Sequence, residues 1–202
     1  MYSPVDTPAA YAMIALTVAI SLFQFNAPDA FTRRWALSTA GVFDRGEHSR
    51  IISHGFLHGG GAHLFVNMLT LFFFGPSMEW FLGPDGFLAL YFGSLVAAAA
   101  VSLAVHRRDR SYLALGASGA VSGIVFAYVL FRPMDNFYLF FIPIGIPAFL
   151  FAPLYLLYSV VAMGGRGNIA HEAHIGGAVS GLVLAALIRP DAIGGFFRQL
   201  GL

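Results

Sequence analysis

Two short motifs hold the residues best suited to breaking a bond. Ser118 lies in Leu115-Gly116-Ala117-Ser118-Gly119, where an apolar run begins. The flanking glycines permit a tight turn and close approach of a substrate. A helix starting here also offers free backbone N–H groups to a developing anion. His174 lies in Ala173-His174-Ile175-Gly176-Gly177, again at the start of an apolar run. Imidazole is the usual base for a serine nucleophile near neutral pH. No aspartate is placed to orient it, so the pattern is a Ser–His dyad rather than a triad. Each residue also has a plain structural reading: a serine bonded back to its own helix, and a histidine satisfied in a core.

His63 and Asn67 are i and i+4 and share one helix face. Two donors on one face suit an oxyanion hole. An interhelical hydrogen bond would use them equally well. His54 and His58 share the same spacing, and with His63 they have the ligand type for zinc, but no carboxylate accompanies them. His171-Glu172-Ala173-His174 comes near the zinc-protease pattern His-Glu-x-x-His and fails it, because Ile175 stands where the second histidine belongs. The chain has no cysteine, which excludes thiolate catalysis and cysteine-based metal sites. Glu79 reads as a cap or brace between helix ends.

The elements that must position these groups are apolar. Of 202 residues, 58% are hydrophobic and 10% charged, against ~25% charged in soluble domains. That composition cannot supply a polar skin, so a soluble enzyme is excluded. The net charge of +1 gives no reason to expect nucleic acid. A membrane-spanning helix needs about 20 mostly apolar residues. Six stretches qualify: Ala9–Phe25, Ala62–Leu82, Gly86–Val105, Leu113–Phe131, Phe137–Met163 and Ala173–Ile188. The first lacks the basic start of a signal peptide and reads as a retained span. Between the first two, Asn26–Gly61 mixes aromatics with arginines, a pattern suited to short helices at the membrane interface. Pro143, Gly145, Pro147 and Pro153 predict a kinked fifth span.

A repeat sets the packing. Gly119-Ala-Val-Ser-Gly123 recurs as Gly177-Ala-Val-Ser-Gly181, and each copy ends in Arg-Pro, at Arg132-Pro133 and Arg189-Pro190. Small residues four apart let helix backbones approach closely in lipid. Two copies at equal depth put Ser118 level with Gly176. His174, two residues earlier, is then ~3 Å away along the axis.

Taken in order, the motifs resemble the rhomboid family of intramembrane serine proteases. They are Glu47 and Arg50, Ser53-His54-Gly-Phe-Leu-His58, His63-x-x-x-Asn67, Glu79-Trp-Phe-Leu-Gly83, Gly116-Ala-Ser118-Gly119 and Ala173-His174-Ile-Gly-Gly177. The resemblance implies an all-α polytopic membrane protein, a single domain over 1–202 with its motif-bearing core at about 47–188. It implies six transmembrane helices, an interfacial first loop and a lateral gate at span five, and no metal or organic cofactor. It implies Ser118 as nucleophile and His174 as base, with His63, Asn67 and the Ser118 N–H as oxyanion donors. Its substrates would be transmembrane proteins in the lipid bilayer, and its expected location the cell (inner) membrane. Relatives that lose the serine or histidine bind membrane clients without cleaving them; this chain keeps both. A transporter would want an intramembrane carboxylate pathway beyond Glu79 and Glu172.

Three features depart from the family. Ser49 and Ser122 stand where many relatives carry aromatics; the one at 122 would pack on the histidine. With a cytoplasmic N-terminus, the cytoplasmic side holds Arg132, Arg189 and Arg198. The other side holds Arg33, Arg34, Arg45, Arg50, Arg107, Arg108, Arg110 and Arg166, against the positive-inside rule.

Overall fold

The computed structural model describes residues 3–138, 144–162 and 170–202. It is predominantly helical. Helix α1 (Pro8–Asn26) opens with Pro8 in its first turn, where a missing N–H costs nothing. Its next two N–H groups are taken by Glu79: Ala9 N donates to Oε1 at 3.0 Å and Ala10 N to Oε2 at 2.6 Å. Glu79 is therefore the brace that its position suggested.

The segment after α1 forms α2 (Asp29–Trp35), β1 (Leu37–Ser38), α3 (Thr39–Arg45), α4 (Arg50–Ser53) and a 3-10 turn at His54–Phe56. Arg50 ties these pieces together. Buried at 3% exposure, it donates to Glu47 Oε2 at 2.6 Å and to the carbonyls of Arg33 and Ala36, each at 2.7 Å.

Helix α5 (Gly61–Val105) contains both the second and third apolar stretches. Its backbone leaves helical geometry at Gly83, with φ 73° and ψ 168°, just before Pro84. Two arms result, 61–82 and 84–105. After α5, β2 (Leu113–Ala114) pairs antiparallel with β1, Leu37 opposite Ala114 and Ser38 opposite Leu113. Helix α6 (Ser118–Phe131) therefore begins at Ser118, not at Leu113 as expected. The residues in between are claimed by strand pairing and by Gly116 at φ +129°.

The fifth stretch also starts later. β3 (Asn136–Tyr138) and β4 (Gly145–Pro147) form an antiparallel pair, and α7 (Ala148–Ala162) begins after it. Ala148 N and Phe149 N in its first turn donate to Asp135 O and Pro133 O, at 2.9 and 3.0 Å. Pro153 lies inside α7; Pro143, Met163 and Arg166 lie outside the described residues. Helix α8 (His171–Ile188) matches the sixth stretch. A short helix that the sequence reading did not contain, α9 (Asp191–Gln199), follows Pro190 and is tied back by Gln199 Nε2 to Phe131 O at 3.0 Å.

Helices α1, α5 and α8 are long and apolar enough to cross a membrane; α6 and α7 are shorter apolar helices. Large side chains such as Phe65, Trp80 and Leu187 point outward. They suit a hydrocarbon solvent rather than water.

Helices α6 and α8 pack on each other and both pack on α5. The contact is backbone to backbone. A Cβ on Gly177 would strike the Gly119 carbonyl, and one on Gly181 would strike that of Gly123. The two repeat copies thus lie side by side, parallel and in equal register, so Ser118 is level with Gly176. Gly177→Ala tests the contact by its sign. In an open helix, alanine would gain about 1 kcal/mol over glycine. Here the added methyl is expected to cost about 1–3 kcal/mol by overpacking, read as a lower unfolding temperature in detergent.

Candidate active site

Ser118 is the first residue of α6, half-buried, behind a turn that Gly116 makes possible. Its N–H and that of Gly119 belong to the first turn and have no partner within the helix. The first intrahelical bond runs from Val121 N to Ala117 O at 3.0 Å.

The turn is held from three sides. Gly116 N donates to His54 O at 3.0 Å. Ala117 N donates to His58 Nε2 at 3.4 Å. Ser21 gives its proton to Phe56 O, so the Ser21 Oγ–His58 Nδ1 contact at 2.9 Å has Nδ1–H as donor. Both ring nitrogens of His58 are thereby used, which leaves none for a zinc ion. His63 forms the third side. Its imidazole covers Gly116, where a Cβ would lie 2.7 Å from Cε1 and 2.9 Å from Nε2. Gly59 N points to His63 Nδ1 at 3.4 Å, so the ring's proton sits on Nε2, the nitrogen facing the turn.

Asn67 is buried, and its amide donates to His63 O at 2.9 Å, back along its own helix. The structure thus brings His63 to the Ser118 turn and shows Asn67 bonded one helical turn behind it. His174 lies in the first turn of α8, half-buried. A Cβ on Gly119 would lie 3.7 Å from the Ala173 carbonyl, so the two helix starts adjoin. Among the described residues, no hydrogen bond joins Ser118 to His174. His174 Nδ1 instead meets Tyr155 Oη of α7 at 3.0 Å.

Glu172 is occupied elsewhere. Ser102, His106 and Tyr112 reach its Oε1 at 3.5, 3.2 and 3.2 Å, clamping α8 to the end of α5. A cavity of about 30 Å³ lies behind the turn, lined by Ser118, Gly116, His54, Ser102 and Ala173 among others. That is room for water.

The Rhomboid domain matches residues 45–191, a range that contains the Ser118 turn, the histidines around it and the start of the helix holding His174. The chain belongs to the rhomboid family. It is 32% identical over 164 residues to RHOMBOID-like protein 12, mitochondrial, of Arabidopsis thaliana, covering 73% of this chain and 48% of that protein. It is 28% identical over 178 residues to Rhomboid protein 1, mitochondrial, of Saccharomyces cerevisiae, covering 86% and 51%. Rhomboid protease GluP of Bacillus subtilis is 29% identical over 156 residues, covering 77% and 29%. This rhomboid spans about half or less of the length of these relatives.

Sequence reasoning missed Tyr155 and the anchoring role of His58. A second histidine one helical turn after His54 was the available signal for His58. Nothing in the sequence marked Tyr155, because its reach depends on how α7 is rotated.

The loop histidines predict a pH response. Burial lowers His54 from 6.5 to about 4. Burial, then the charge of His63, does the same to His58, to about 4. The unfolded chain therefore takes up these protons first as pH falls. The stability that depends on neutral imidazoles is complete above about 6.5 and is lost as pH drops toward 4. Unfolding temperature in detergent should follow that course, and His58→Gln should make the fall shallower.

Proposed function

We propose that this chain is an intramembrane serine endopeptidase that cleaves membrane proteins in or beside their transmembrane segments. The observation that carries the reading is the parallel glycine contact of α6 and α8, which sets the Ser118 turn against the start of the helix holding His174. Six crossings are proposed: α1, the two arms of α5, α6, α7 and α8, with α2–α4 in the interface. The bilayer is proposed to be a cell inner membrane; the word mitochondrial in two relatives' names stays with those proteins.

In this mechanism Ser118 Oγ attacks the scissile carbonyl carbon while its proton passes to His174 Nε2. Charge on the carbonyl oxygen is met by the Ser118 N–H, the His63 Nε2–H and an N–H of Asn67. The tetrahedral intermediate collapses, the C–N bond breaks, and the leaving amine takes the proton from the imidazolium. Water then hydrolyses the acyl-enzyme, with His174 again accepting the proton. A transmembrane substrate has its peptide groups bonded within its own helix, so the helix must unwind before attack. Helix-breaking residues near the scissile bond should favour cleavage.

The missing Ser118–His174 hydrogen bond favours one rival, a rhomboid-like protein that binds membrane clients without cleaving them. Catalytic hydrogen bonds are often long in unliganded enzymes and tighten with substrate, so the endopeptidase reading stands ahead. Ser118→Ala is expected to abolish cleavage of a model transmembrane substrate and labelling by a fluorophosphonate, with the fold retained in detergent. His174→Ala should lose cleavage and suppress labelling at Ser118. Binding of substrate without cleavage or labelling by the unmutated protein would select the client-binding reading.

Asn67 separates by magnitude. Removing one oxyanion donor typically lowers kcat by about 10²–10³. Asn67→Ala should fall at the low end, with KM little changed and labelling slowed rather than lost. Near-normal turnover from a thermally weakened variant would leave Asn67 only its bond to His63.

A further inference from the structure

We infer that Tyr155 of α7 is a positioning residue for His174, one that fixes which ring nitrogen carries the proton. This rests on His174 being the base, as proposed above. The Tyr155 Oη–His174 Nδ1 distance is 3.0 Å. The two rings also stack, with centroids 6.4 Å apart and planes inclined by 21°. Tyr155 is itself held by ring contacts to Phe126 of α6, at 5.5 Å, and Phe151 of α7, at 5.7 Å.

The direction of that hydrogen bond decides whether the imidazole can act. If Tyr155 O–H donates to Nδ1, the neutral ring carries its proton on Nε2 and has no lone pair there for Ser118. If Nδ1–H donates to Tyr155 Oη, Nε2 is free to accept. The surroundings of Tyr155 accommodate the second arrangement. Ser122 and Ser159 lie near the Tyr155 hydroxyl. Ser159 is fully buried, and its Oγ has no hydrogen-bond partner among the described residues. A tyrosine proton turned toward Ser159 would give this oxygen a donor and leave Oη as acceptor for Nδ1–H. The reverse, with Ser159 O–H donating to Oη and Tyr155 O–H to Nδ1, would pair the same oxygen, so it is the base role of His174 that selects this assignment.

The proton count closes. During acylation one proton moves from Ser118 Oγ to Nε2, and Nδ1 keeps its own. The resulting imidazolium donates to Tyr155 Oη through a charge-assisted bond, stronger than the neutral one. When the leaving amine takes the Nε2 proton, the ring returns to the same tautomer. Tyr155 neither gains nor loses a proton. Ser122, one turn along α6 from Ser118, is small enough to admit the tyrosine from α7. The base is thus steadied from a helix that carries neither Ser118 nor His174.

Tyr155→Phe keeps the ring and removes the oxygen. In the purified full chain in detergent, kcat for a model transmembrane substrate should fall about three- to tenfold, the scale of one neutral hydrogen bond. KM should stay unchanged, fluorophosphonate labelling of Ser118 should slow by the same factor, and the unfolding temperature, read on the same preparation, should hold. Ser159→Ala disturbs the same arrangement without touching either ring and should slow labelling in the same direction. In a His174→Ala background, Tyr155→Phe should leave the residual labelling rate unchanged. Unaltered rates in either single variant, or equal slowing without His174, overturn the inference. A Ser118→Ala protein that still cleaves would overturn the proposed function instead, so the two failures are told apart.

Discussion

The contact of Gly119 with Gly177, repeated one turn on by Gly123 with Gly181, is the constraint on which the rest depends. Any side chain at Gly177 or Gly181 would push α8 off α6. Lipid tails are as apolar as leucine, so burial of hydrocarbon gives helices little reason to associate in a bilayer. Close backbone approach and dispersion contacts do that work, and they reward small residues. The same contact fixes depth. Because the copies lie in equal register, the starts of both helices sit together, and the polar residues found there share one level. The C-terminal arm of α5 closes the third side, where a Cβ on Gly176 would lie 2.9 Å from Val101 Cγ2.

A helix start is a set of unpaired N–H groups, and a turn leading into it must be paid for by its neighbours. Here the turn before Ser118 is secured by His54 O, His58 Nε2 and the β1–β2 pairing. Arg50 secures the loop that carries those groups, by closing on the carbonyls of Arg33 and Ala36. Glu47 balances the guanidinium, and its hydrogen bond with Arg50 holds its carboxyl below the usual carboxylate range. The long first loop therefore acts as scaffold for the turn rather than as a tether between helices. It also gives Arg50 a role fixed by hydrogen bonds, so its side of the membrane need not follow the positive-inside tendency.

Much of this was legible in the sequence because the bilayer enforces simple rules. Apolar stretches of sufficient length marked α1, the arms of α5 and α8. The glycine repeat gave the register of α6 against α8, because only glycine tolerates such proximity. The start of α6 was misread because Leu113 and Ala114 are apolar and suit a span, yet their partners in β1 lie far back in the chain. The start of α7 was misread for a related reason. Glycine and proline in an apolar run signal a kinked helix and a strand pair equally well, and pairing of Phe137 with Ile146 decided it. The four candidate site residues were singled out by type and spacing, which say nothing of their bonds. Asn67 turns back to His63 O, and His174 is met by a tyrosine from a neighbouring helix.

The polar side chains inside these helices show why the Ser118 turn differs from its surroundings. A polar group in hydrocarbon either finds a partner or costs free energy. Glu79 finds two N–H groups of α1, Glu172 finds Ser102, His106 and Tyr112, and His58 uses both ring nitrogens. These groups are satisfied, and satisfied groups are poor reagents. Ser118 is half-exposed beside a small water-sized cavity, with its hydroxyl unbonded among the described residues and unpaired N–H groups at its own helix start. The cost of leaving such groups open is borne by the packing of α5, α6 and α8 and by the pinned turn. An open hydroxyl and open donors at one point are the feature on which the proposed endopeptidase reading draws.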